Sequence, residues 1–170
     1  MNATAHCSAS PRTGRPGLFP ALLFVCAASA IAHADGTGAR TPAEAVSKLY
    51  TAHFAGDTAF THESVARKGP WLTPDLQALL VGELNRPQPE DEPPSLNGDP
   101  FTDTQEYPLA CGVGGEEIVG DTASVKVDCG PEGGRTRRIE ALLQKLGSVW
   151  MLSDLRYEDG RTLRHLLVPP

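Results

Sequence analysis

The chain has 170 residues, 15 lysines and arginines against 21 aspartates and glutamates, and a formal net charge of −6. An acidic balance repels nucleic-acid backbones and anionic lipid, and no basic cluster with interleaved aromatics interrupts it, so neither is an expected partner. The length fits one domain whose apolar core suffices without help, since a domain of this size buries roughly two thirds of its unfolded surface, and no metal or cofactor is expected.

The first 34 residues read as a secretory leader. Arg12 and Arg15 precede an apolar run from Leu18 to Ala32, and Ala32-His33-Ala34 supplies a small-x-small site, which places cleavage after Ala34. The run is shorter than the ~20 apolar residues of a membrane span. Cys26 as an acylated residue is disfavoured by the bulky Phe24-Val25 before it. Cleavage leaves a single domain over 35–170 with 13 basic and 21 acidic residues, a net charge of −8. The expected location is the periplasm.

Thr41-Pro42-Ala43-Glu44 is a capping box with proline at the first helical position. Val46, Leu49, Tyr50, His53 and Phe54 follow at helical spacing, which predicts an amphipathic helix ending near Gly56. His53 falls on the apolar face, where the plainer reading is a core histidine bonded to a backbone group. A short helix is expected over Ala59 to Arg67, with His62 on its solvated face. Thr73 and Pro74 open a further helix, capped by Thr73, with Leu76, Leu79, Leu80 and Leu84 as its stripe and Trp71 as an anchor at its entrance.

Residues 86–100, RPQPEDEPPSLNGDP, are rich in proline and acid and read as a long connection between a helical half and a sheet half. Glu90-Asp91-Glu92 lacks the spaced ligands of a calcium loop, and no metal site is expected. Asp103, Gln105, Glu106 and Tyr107 then cluster at the entry to the sheet, as loop-tying groups or as the rim of a pocket.

Leu109 to Val113, a glycine-rich kink, and Glu116 to Val119 lead to a Gly120-Asp121 turn and a strand from Thr122 to Cys129. In that strand Ala123, Val125 and Val127 alternate with polar residues. Pairing across the turn puts Cys111 opposite Gly130, one place from Cys129, and a single bulge brings the two sulfurs into register, so a structural disulfide is expected. Gly130 to Gly134 turns the chain into Arg138–Tyr157, two apolar-rich runs flanking a turn at Lys145-Leu146-Gly147. Ile139, Ala141 and Leu143 share one face. In the second arm Val149 and Met151 point one way and Trp150 and Leu152 the other, which makes the sheet apolar on both sides and suggests a homodimer through its outer face. Asp159-Gly160 is a turn, and Thr162 to Leu167 a short closing helix or strand with His165 at the surface.

Helices first and a curved antiparallel sheet last define an α+β class. That order resembles the cone fold of nuclear transport factor 2 and its relatives. Leu72-Thr-Pro-Asp-Leu76, Asp99-Pro-Phe101 with Gln105-Glu106, the Val149–Leu155 strand and Gly160-Arg-Thr-Leu163 resemble exported bacterial proteins of the domain-of-unknown-function 3828 family. The resemblance implies an envelope location and a helix-plus-sheet cone, and no particular activity.

No catalytic or ligand-binding constellation emerges from the residue spacing. The leading expectation is a non-enzymatic binding or interaction module whose cone mouth, near Tyr50, Phe54, Trp71, Gln105, Tyr107 and Trp150, meets a small apolar ligand or an envelope protein. A small lyase or isomerase with His53 or Asp103 as general base is the second. An inhibitor or immunity protein against an exported toxin is the third.

Overall fold

The computed structural model describes residues 39–56, 58–87, 96, 98–105, 110–131 and 134–168. The leader with its cleavage site and Cys26, the acidic run Glu90–Glu92, and Glu106 and Tyr107 lie outside the described residues.

Thr41 and Pro42 start helix α1 (Pro42–Phe54) as the capping box requires: the Thr41 hydroxyl accepts from the Glu44 amide at 3.1 Å. The returning Glu44 carboxylate accepts from the amide of Arg40, one residue before the cap, at 2.9 Å. A second acid reaches this helix end from the sheet, where Glu116 accepts from the Ala43 amide at 2.7 Å, so α1 docks with its orphan donors satisfied. Helix α2 (His62–Lys68) begins three residues later than expected because Thr61, not a residue near Ala59, supplies the cap. A 3-10 turn over Gly69–Trp71 follows.

Helix α3 (Pro74–Leu84) follows with Leu76 and Leu80 fully buried. Thr73 makes no side-chain cap, contrary to expectation. Its contribution is through the backbone, its amide donating to the Leu152 carbonyl at 2.8 Å, which ties the helix entrance to the sheet edge.

Four strands form an antiparallel meander in the order β1-β2-β3-β4: β1 (Ala110–Val119), β2 (Thr122–Gly130), β3 (Arg137–Leu146) and β4 (Val149–Tyr157). The glycine-rich segment does not divide β1. Gly114 and Gly115 together oppose Lys126, a bulge that shifts the register by one and sets Cys111 directly across from Cys129. The two cysteines are joined, with their Cα atoms 4.1 Å apart.

The β3–β4 turn is Gly147-Ser148, one residue later than the sequence pattern suggested, with Gly147 in the left-handed region at φ 63° and Leu146 facing Val149. A second bulge at Ser153 changes the facing parity of β4. Trp150 and Leu152 before it, and Leu155 and Tyr157 after it, therefore all point to the buried face.

The expectation of a sheet apolar on both sides is corrected by this bulge. The outer face carries cross-strand ion pairs, Asp128–Arg138 at 3.2 Å and Glu140–Arg156 at 2.6 Å. Its apolar part shrinks to Val119, Leu142, Leu146, Val149 and Met151 near the hairpin end.

Helices α1 to α3 pack on the inner face, so the fold is α+β, helices first, with one core rather than a helical half and a sheet half. After the Asp159-Gly160 turn the closing segment is a helix, α4 (Leu163–Leu167), with His165 exposed as expected. The Arg164 guanidinium pairs with Asp75 of α3 and donates to the Ser153 carbonyl at 2.6 Å, while its amide meets the Asp154 carboxylate at 3.0 Å. No helix among the described residues is long and apolar enough to cross a membrane.

Candidate functional site

A short loop, Gly98 to Gln105, is locked in place by side chains from three elements. It closes on itself through an Asp99–Thr104 bridge, with the Asp99 amide donating to the Thr104 carbonyl at 2.9 Å, and Asp103 completes the turn at φ 52°. From α1, the Tyr50 hydroxyl donates to the Phe101 carbonyl at 2.7 Å. From β4, the Tyr157 hydroxyl donates to the Pro100 carbonyl at 2.9 Å. Burial of both tyrosines pushes their phenols well above the ordinary range. From α2, the Lys68 amine lies 4.7 Å from the centre of the Phe101 ring. The Phe101 side chain is buried among these groups.

Asp99 is the polar hub of the loop. Its Oδ1 accepts from the Phe101 amide at 3.0 Å and its Oδ2 from the Thr102 hydroxyl at 2.7 Å. His53 Nε2 lies 2.9 Å from the same Oδ2, with the imidazole fully buried against Phe54 and Phe101 at ring distances of 4.8 and 5.5 Å. The ring meets the carboxylate at ion-pair distance but off the line of a hydrogen bond, and Nδ1 has no partner. His53 is thus a core histidine, but its neighbour is a carboxylate rather than the backbone group expected.

Lys68, also fully buried, donates to the Ser64 carbonyl at 2.9 Å and to the Ser64 hydroxyl at 2.6 Å. Burial lowers its amine to about 8, with the Asp99 charge pulling the other way.

On the outer side of this loop, Thr58, Ala59, Phe60, Gly98, Asp99, Thr104 and Gln105 enclose a pocket of about 130 Å³. Asp99 presents a carboxylate that is 10% exposed to it. Among the described residues lining the pocket Asp99 alone is charged. The arrangement offers a fixed acceptor backed by a buried imidazole and a buried amine, which suits polar recognition or proton transfer at Asp99.

The other expected site residues are dispersed. Gln105 lines the pocket, and Phe54 and Tyr50 stand behind it through His53 and Phe101. Trp150, 5% exposed, and Tyr50, 3% exposed, belong to the core. Trp71 packs with Tyr50, Leu49 and Leu152 where the interior leaves no room for a water, so these aromatics frame no open mouth among the described residues. Asp103 is half-buried on the same loop but does not line the pocket. Burial raises its carboxyl, while Arg137 and Arg161 oppose that rise. No group of three metal-ligating side chains converges among the described residues.

Asp99 and Lys68 were not singled out as functional by residue spacing. Asp99 was visible only inside the Asp99-Pro-Phe101 motif, and a lysine in the last turn of a helix carries no mark of burial.

Comparison with protein-family models, with curated proteins and with solved structures finds no match to this chain.

Proposed function

We propose that the protein is an exported, non-enzymatic binding module of the bacterial envelope, and that its ligand seat is the pocket beside Asp99. The observation that carries this reading is the clamped loop: its floor is fixed by Tyr50, Tyr157, Lys68 and His53 before any ligand arrives, and preorganised sites bind without an ordering cost. The Cys111–Cys129 bridge belongs to an oxidising compartment and supports a periplasmic location.

The likeness to the exported domain-of-unknown-function 3828 proteins and to the nuclear-transport-factor-2-like cone is part of the same proposal. Supporting it, the quoted motifs meet in space. Leu72 bridges to Leu152, and residues just past the other two motifs complete the set, Arg164 pairing with Asp75 and Tyr157 holding Pro100.

A small-fragment screen by amide NMR on the mature protein tests the reading: fragments should shift Thr58, Gly98 and Thr104, and a screen that leaves all three unmoved removes it.

A lyase or isomerase is the second reading, favoured by the His53–Asp99 contact next to the pocket, with Asp99 as general base in place of Asp103. It predicts Asp99-dependent exchange of α-protons of small carbonyl compounds in deuterated water. Exchange at the solvent rate ends it.

A further inference from the structure

We propose that the pocket selects a small ligand bearing a protonated amine, seated on the outward side of the Asp99 carboxylate; this rests on the pocket being a ligand seat. A carboxylate offers about four lone-pair positions. The Phe101 amide occupies one on Oδ1, and the Thr102 hydroxyl and His53 crowd Oδ2, which leaves Oδ1 with acceptor capacity. Asp99 is nine-tenths buried, so a bond to its charge is screened little by water.

Phe60 adds an aromatic wall, which favours a cation over a neutral hydroxyl compound. An anionic ligand would meet Asp99 with no cation among the described lining residues to offset the repulsion. The volume of about 130 Å³ matches the liquid share of about four waters, so the ligand has only a few heavy atoms.

Three small probes of similar size test this on the mature chain: ethanolamine, ethylene glycol and glycolate, titrated by amide NMR. Ethanolamine should saturate the shifts of Thr58, Gly98 and Thr104 at least about tenfold more tightly than ethylene glycol, and glycolate should leave them unchanged. Asp99→Asn should erase the preference. Because that change touches the loop clamp, Gln105→Lys serves as the second variant. It alters an exposed rim position, leaves the Asp99 bonds in place, and should weaken ethanolamine by at least about tenfold through like-charge repulsion. Equal binding of ethylene glycol, or tighter binding of glycolate, overturns the amine selection while the pocket stands as a binding site. If none of the probes binds, the amine selection is overturned, and the fragment screen then decides separately whether the pocket binds anything.

Discussion

At the scale of single residues, Lys68 makes the folded state sensitive to alkaline pH in an uncommon direction. Its amine titrates near 8 when folded and near 10.5 when unfolded, because burial disfavours the charge. Below pH 8 both states hold the proton and the burial cost is fully felt. Between 8 and 10.5 only the unfolded chain holds it, so stability rises with pH, by on the order of 3 kcal/mol over the full window. Tyr50 and Tyr157 work the other way above about pH 10, because only the unfolded chain ionises its phenols there. Urea midpoints between pH 8 and about 9.5 should therefore climb in the native protein and stay flat in Lys68→Met. A flat native profile would contradict the buried amine. Asp99→Asn should cost about 1–3 kcal/mol in the same assay, since it removes the charge that accepts from the Thr102 hydroxyl and faces the buried His53. His53 was readable as a core residue from its place on the apolar stripe of α1. Its carboxylate partner was not, because Asp99 is 46 positions away and nothing in the spacing joins the two.

At the scale of elements, two one-residue bulges decide which side chains face the core. In β1 the sequence revealed its bulge, because the Gly120-Asp121 turn fixes the register and Cys111 otherwise misses Cys129 by one place. In β4 it did not. Ser153 is an ordinary strand residue, and the mixed pattern of Trp150, Met151, Leu152 and Leu155 reads as two apolar faces until the extra residue is placed. Deleting Gly115 should leave Gly114 alone opposite Lys126, remove the first bulge and keep Cys111 across from Cys129, so that thiol titration after air oxidation finds no free thiol. Deleting Ser153 should likewise leave a regular pair, Asp154 opposite Leu142, with Leu155 and Tyr157 still facing the core and the Tyr157 bond to Pro100 kept, so that unfolding stays cooperative in a thermal melt followed by circular dichroism.

At the scale of the whole molecule, the α+β class was legible because capping boxes, proline starts and alternating strands are local signals. The seat beside Asp99 was not, because it arises where α1, α2 and β4 converge on one loop. The disulfide closes a loop of sequence separation 18, and breaking it with Cys111→Ser and Cys129→Ser should cost about 3 kcal/mol, read as a lower urea midpoint. The meander also has a kinetic consequence. Each strand pairs with its neighbour in sequence across its own turn, so the sheet can zip without either end of the chain in place. Ala39 and Leu72 reach β4 from far earlier in the chain, as Arg164 reaches back to Asp75. Contacts of long sequence separation form late, so changes at the Gly147-Ser148 turn should slow folding, whereas Arg164→Ala should chiefly speed unfolding in a chevron analysis. The pairing that makes β1 to β4 one sheet thus also makes it the first part of the molecule to assemble, with the helices closing over it afterwards.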